Sequence, residues 1–352
     1  MGGMRLGKTS AVLTIAVAGL WAPQAYAADA ITVALGGRIK QFFFVTDQDQ
    51  AGPENLNPTG MFNDTRIAAE GRTVLDNGIS VRAYARFTAA ARVQSNLDEA
   101  YVDINSTFGR LRMGEKSGAN TSIIGDPIPQ AFLTVDEEIF GDALVARTGI
   151  TVRDAFTFKR FTGNALGVSY QSPELLGIKL GVAYHPTATS NVGPIDNRLL
   201  PHNAFDVTAG YEGDFAGGTY RLSGGYFSIS SRTGGNDGAE AWNVSAGLTY
   251  GGWELAGAYI NVTPTNGLKE DAWTVGALYG IGPWRLSADY RSAKRRVLPG
   301  VREHADRTTV QTAYKLGPGI SVGLAGFYGD QKDVAGVDWD GGGVLGGVKI
   351  DF

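Results

Sequence analysis

Cysteine is absent from the sequence, and histidine occurs only three times, at His185, His202 and His304. The first absence excludes a disulfide framework, a thiolate zinc centre and a cysteine nucleophile. The second leaves little for a zinc hydrolase or a Ser-His-Asp triad. Charge of one sign is lacking too. Thirty-one Lys and Arg mix with 35 Asp and Glu to a net −4, which speaks against a nucleic-acid partner. Beyond the N-terminus no run of 18 apolar residues occurs, so membrane-spanning helices are excluded. Glycine, by contrast, supplies 50 of 352 residues, roughly double its usual share of about 7%. Gly-rich, Tyr-rich and Cys-free, the chain points to an all-β protein.

Residues 1–27 have the form of a secretory signal peptide. Arg5 and Lys8 make a positive start, Ala11 to Ala22 an apolar run, and Ala25-Tyr26-Ala27 a small-x-small cleavage pattern. The expected mature domain is 28–352, destined to leave the cytoplasm.

That domain alternates with period two. Over 79–93 one parity holds Ile79, Val81, Ala83, Ala85, Phe87, Ala89, Ala91 and Val93, while the other carries Arg82, Arg86 and Arg92. A strand puts those sets on opposite sides of a sheet. Sixteen such segments are expected, near 31–45, 62–73, 79–93, 97–106, 110–116, 163–172, 178–186, 203–212, 219–229, 240–250, 253–262, 270–280, 283–293, 305–315, 320–329 and 343–352. Their connections alternate as well. Tight turns such as Asp76-Asn77-Gly78 and Gly251-Gly252 interleave with long stretches at 46–61, 117–162, 187–202, 294–304 and 330–342. An even strand count with short turns at one end and long loops at the other describes a transmembrane antiparallel β-barrel.

The apolar face is expected to look outward, because the polar faces hold too many charges for a dry core. Aromatics bracket that face: Trp242 with Tyr250, Trp253 with Tyr259, Trp273 with Tyr279, and Trp284 with Tyr290. Antiparallel strands would place Tyr250, Trp253, Tyr279 and Trp284 in one girdle, and Trp242, Tyr259, Trp273 and Tyr290 in the other.

Several stretches carry a family resemblance: Leu35-Gly36-Gly37-Arg38-Ile39, Thr65-Arg66-Ile67-Ala68, Asp98-Glu99-Ala100-Tyr101-Val102, Phe108-Gly109-Arg110-Leu111-Arg112-Met113-Gly114, and Asn164-Ala165-Leu166-Gly167-Val168-Ser169-Tyr170-Gln171-Ser172-Pro173. With these the chain resembles the general diffusion porins of Gram-negative outer membranes. The resemblance implies sixteen strands, a homotrimer, a bilayer with lipopolysaccharide as surroundings, and Phe352 as the terminal aromatic read by the assembly machinery. It also implies a third loop folded inward, its carboxylates facing a basic wall. The chain departs from the family in a very short second loop around Gln94-Ser95-Asn96. In the third loop, Glu137-Glu138-Ile139-Phe140-Gly141-Asp142 stands where Pro-Glu-Phe-Gly-Gly is usual.

The 46-residue stretch 117–162 contains apolar pieces (Ile123-Ile124, Ala131-Phe132-Leu133, Ile139-Phe140) that resist exposure to water, which agrees with inward folding. Within it, Ala143–Val152 is a candidate extra strand. Its acids, Asp126, Asp136, Glu137, Glu138 and Asp142, are expected to face Arg38, Arg66, Arg82, Arg86 and Arg92 across the pore and to offset their mutual repulsion.

The expected function is passive diffusion of small hydrophilic solutes and ions, without chemistry. The alternatives are a channel selective for sugars or organic acids, and an outer-membrane barrel enzyme. Gly319-Ile320-Ser321-Val322-Gly323 mimics a hydrolase elbow but sits in an alternating strand, and Gly341-x-Gly343-x-x-Gly346 lacks a following helix. No cofactor is expected. Calcium on loop carboxylates is conceivable, although no ligand spacing supports it.

Overall fold

The computed structural model describes residues 29–89, 96–134, 139–150, 156–188, 196–197, 200–230, 238–264, 269–298 and 300–352. The expected signal peptide, Arg92, Asp136, Glu137 and Glu138 lie outside the described residues.

Alternation becomes sixteen antiparallel strands: β1 (Thr32–Gln48), β2 (Thr59–Val74), β3 (Ser80–Thr88), β4 (Asn96–Ser106), β5 (Gly109–Glu115), β6 (Leu166–Gln171), β7 (Ile178–Thr187), β8 (His202–Phe215), β9 (Gly218–Ser230), β10 (Ala239–Tyr250), β11 (Trp253–Pro264), β12 (Glu270–Ile281), β13 (Trp284–Leu298), β14 (Val301–Gly317), β15 (Ile320–Lys332) and β16 (Asp338–Asp351). Three short helices, α1 (Ala119–Ile124), α2 (Ile139–Asp142) and α3 (Lys159–Thr162), lie between β5 and β6.

The sheet closes on itself through β1 and β16, with Ile39 opposite Ile350. Phe352 extends the seam: its N–H donates to the Gly37 carbonyl at 3.0 Å, and Gly37 N–H returns the bond at 2.8 Å. Closure pairs edge groups that would otherwise cost several kcal/mol each in hydrocarbon. The seam depends on glycine at 37, where a Cβ would meet the Arg66 carbonyl at 2.5 Å.

Register keeps each strand's two faces apart. On β10, Trp242, Val244, Leu248 and Tyr250 are exposed while Asn243 is buried. On β3, Phe87 is 53% exposed, whereas Arg86 turns inward to line a space shared with residues of the third loop. The apolar face therefore looks out and the charged face looks into the lumen. The expected girdle residues all lie on the outward face, and their rings pair across strands. Trp253 stacks near Tyr279 at 4.8 Å between centroids, Trp242 near Tyr259 at 5.2 Å, and Trp273 near Tyr290 at 5.1 Å. Phe215 against Tyr250 and Tyr314 against Trp284 extend one ring beyond the expected set.

Two expectations need correction. The stretch 294–304 is mostly strand: β13 runs to Leu298 and β14 begins at Val301, with Gly300 at φ +83 in the turn. Its charges pair across the ladder (Arg295 opposite Glu303, bridged), so a polar stretch extends the hairpin instead of looping. Along 143–150, the described part of the candidate extra strand, no strand forms. Its backbone is instead claimed by lumen side chains, as with Val145 N–H donating to Gln48 Oε1 at 2.7 Å.

Part of the lumen is also less polar than expected. The third loop packs a core inside the barrel, where Phe132, Leu133, Ile139, Leu144, Phe156 and Phe158 meet lumen-facing Phe42, Phe62, Phe227 and Ile260. Phe42-Phe43-Phe44 illustrates why charge counting missed it: the run straddles both faces, with Phe42 and Phe44 buried inside and Phe43 exposed outside.

Candidate functional site

The third loop is fastened to one side of the wall. At its start, α1 sits over β7 and β8, where glycines make room. A Cβ at Gly181 or Gly210 would strike Ile123 at 2.7 Å. Asn120, fully buried, donates to Thr208 Oγ1 and Asn243 Oδ1 at 3.0 Å each, accepts from Phe158 N–H at 3.2 Å, and gives its own N–H to Asp206. Further on, Ala131 N–H reaches Ser287 Oγ at 2.9 Å on β13. Phe132 and Leu133 N–H share Gln311 Oε1 on β14 at 3.0 and 2.7 Å. Arg147 N–H goes to Gln331 on β15, and Gly149 N–H to Glu303 on β14. Burying these donors with partners avoids about 1–3 kcal/mol for each one left unpaired.

Fastened there, the loop leaves open a space against β2 to β5. Arg66, Arg86, Glu99 and Lys116 line it from the wall, facing Thr121, Asp126, Pro127, Phe156, Thr157 and Lys159 from the loop. Four cationic and two acidic side chains thus line this one space.

Among the described residues, the arginines have carboxylate partners on the wall itself. Arg38 and Arg66 stand directly opposite across the β1–β2 ladder, and both hydrogen-bond Asp64 between them, each at 2.7 Å. Arg86 forks onto Asp98 at 2.9 and 2.7 Å and also reaches Glu99 at 2.8 Å, while Lys116 meets Glu99 at 2.6 Å. The described ion pairs of this wall therefore run to carboxylates on the wall itself.

Of the expected loop acids, Asp126 lines this space together with Arg66 and Arg86. Asp142 ends α2, next to Leu144, which packs near Gly341 on β16, and is not among the lining residues. Arg82 faces the lumen, but four residues nearer the short turns than Arg86, about 13 Å along the strand. There it pairs with Glu70 at 2.7 Å and lies over the Tyr84 ring, which neighbours Tyr101 at 5.0 Å.

Sequence reading passed over Asp64, Asp98, Glu99, Lys116, Lys159 and Asn120. A signal existed for Asp64 and Glu99, which fall on the lumen parity beside an arginine of their own or the next strand, whereas Asp98 reaches Arg86 through a bulge. Lys159 and Asn120 carried none, because their position depends on the path of the loop.

His185 and His202 lie on the paired strands β7 and β8, and His304 lies on β14. His185 is buried against the Ala165 carbonyl, His202 contacts the Leu200 carbonyl, and His304 meets Asp330.

The family model for Gram-negative porins matches residues 9–334. No curated protein matches the sequence. Among solved structures, the anion-selective porin from Comamonas acidovorans superposes with TM-score 0.65 at 15% identity, covering 92% of this chain and 100% of that one. OmpT of Vibrio cholerae, in a trimer form, gives 0.64 at 15% identity over 92% and 100%. A mutant of the Rhodopseudomonas blastica porin gives 0.60 at 15% identity over 91% and 100%. At these identities the superpositions speak for the fold, and the sequence model speaks for the family. A closed sixteen-strand barrel, apolar outside and charged within, matched over nearly its whole length, leaves one assignment: the chain belongs to the Gram-negative porins and is an outer-membrane diffusion channel.

Proposed function

We propose that this porin passes small hydrophilic solutes with a preference for anions, through the gap between Arg66, Arg86 and Lys116 on the wall and Asp126 and Lys159 on the loop. The observation that carries the reading is that four cationic side chains line that gap against two acidic ones, while the partner carboxylates Asp64 and Asp98 are not among the lining residues. Low-dielectric walls focus the field of such a cluster, which raises the local concentration of anions and repels cations. Asp126 opposite the arginines adds a transverse component, so water in the gap is ordered and costly to replace with an apolar solute. Transport is passive, and no bond is made or broken. The anion selectivity named for the Comamonas porin agrees with this reading.

The test is reversal potential in planar bilayers under a KCl gradient. Wild type is expected on the chloride side, and Arg66→Ala with Arg86→Ala should move it toward cations. An unchanged potential removes both residues from the rate-limiting section. One feature favours the alternative of a selective channel, namely the Tyr84–Tyr101 pair with Arg82 and Arg112 over its rings. Conductance that saturates with salt, or block by one sugar or organic acid, would support it, whereas linear conductance supports the general pore.

The working form in this reading is a homotrimer joined through the outward face of β1 to β5. Its support is a trimeric form of a fold neighbour and the composition of that face, which is argued at the scale of the whole molecule below.

A further inference from the structure

Three strand ends on the outward wall, at the side away from the short turns, gather unusual charge. Asp306 on β14 stands directly opposite Asp330 on β15, which in turn stands opposite Asp340 on β16. Like charges in register destabilise a ladder unless a counter-charge offsets them. Lys332, the lysine on β15, is engaged by Asp338 at 2.7 Å. His304, two residues before Asp306 and on the same face, brings Nε2 to 2.9 Å from Asp330 Oδ1. One donor atom from each of His304, Asp306 and Asp330 lies within 4.8 Å of the other two. Asp306 Oδ1 is buried and has no hydrogen-bond partner among the described residues.

We propose that His304, Asp306 and Asp330 form a divalent transition-metal site on the outer wall, clipping β14 to β15, with zinc as its representative ion. One imidazole and two carboxylates suit a borderline divalent cation, which takes nitrogen and oxygen ligands at about 2.0–2.2 Å. Donors already this close reach a common ion by side-chain rotation, since all three side chains keep some exposure. Calcium fits poorly, because it asks for six to eight oxygens and the cluster offers three side chains, one of them an imidazole. Two positive charges at this point would offset the Asp306–Asp330 repulsion and give the stranded Asp306 oxygen a partner. Three protein ligands leave further positions to water. The site faces away from the lumen, with Asp306 two residues from the Tyr290–Thr308 pair toward the long loops, so it is separate from the permeation gap.

The test is titration calorimetry of the detergent-solubilised protein with zinc chloride, repeated in excess calcium chloride. One zinc per chain is expected, with affinity reduced at least tenfold in His304→Ala and in Asp306→Asn, and unchanged in His202→Ala. Asp306→Asn preserves the His304–Asp330 contact, so its loss of zinc cannot be assigned to a broken ion pair. Wild type binding zinc no better than either variant, or losing its zinc binding in that excess of calcium, overturns the proposal.

Discussion

Asn120 fastens the third loop to the barrel wall through several buried hydrogen bonds. Its side chain joins β8, β10 and the return segment of the third loop at Phe158 in one buried network, and Asn243 closes the ring by donating to Asn120 Oδ1 at 2.9 Å and to the Phe156 carbonyl at 2.8 Å. Alanine at 120 strands Thr208, Asn243 and the Phe158 N–H together. At about 1–3 kcal/mol for each buried group left without a partner, less what water recovers, the loop should lose about 2–4 kcal/mol of anchoring. The barrel itself should survive, since its ladders are untouched. Asn120→Ala is therefore expected to give larger, noisier single-channel conductance and faster protease cleavage within 117–162. Wild-type conductance and cleavage together would show that the loop is held elsewhere.

At the scale of elements, the long-loop end is tied by a strap between the β1–β2 connection and the returning third loop. Glu54 receives both terminal guanidinium nitrogens of Arg147, whose plane also covers the Trp339 ring at 4.4 Å. The Arg147 hydrogen bond, helped by the Ala51 N–H, holds the Glu54 carboxyl down at about 2. A carboxyl whose folded-state value is depressed contributes above its unfolded value and loses that contribution as pH falls through the folded one. The strap should accordingly hold at pH 5, weaken between about pH 4.5 and 2, and be gone below. Hydrogen exchange at residues 50–56 and 145–148 against pH reads this directly, and in Glu54→Gln the acid step should vanish. An acid step that persists in the variant would place the titrating group elsewhere.

Elements also mark where sequence reasoning ends. Strand number, turn placement and the outward girdle were legible because each follows from period-two patterning within a single strand. Arg38, Arg66 and Arg86 on the lumen face were legible for the same reason. Their partner Asp98 was not, since it reaches Arg86 only through a bulge between Arg86 and Phe87. The loop path was the least legible, because it follows contacts between residues more than a hundred positions apart, such as Phe132 with Gln311.

For the whole molecule, the outer wall has two unlike sides. From β10 to β14, Trp and Tyr pairs ring the outward face at both ends, as an interface with lipid headgroups requires. From β1 to β5 the described outward face has Phe43 and Phe87 but no Trp or Tyr, and its centre is a shallow hollow bordered by Val33, Ala69, Gly71, Ala83, Ala85, Val102 and Met113. Small side chains let a second surface approach closely, and a wall that meets protein has no need of an interfacial belt. Bulk placed there should keep neighbours apart while costing little toward lipid. Ala83→Trp with Ala85→Trp is thus expected to yield a folded, heat-modifiable single barrel, where wild type gives the mass of three by native mass spectrometry in mild detergent. Leu255→Trp, on the girdled side, should leave the mass of three unchanged. If the double variant stays trimeric, or wild type runs as one barrel, then β1 to β5 face lipid after all and their missing belt needs another cause.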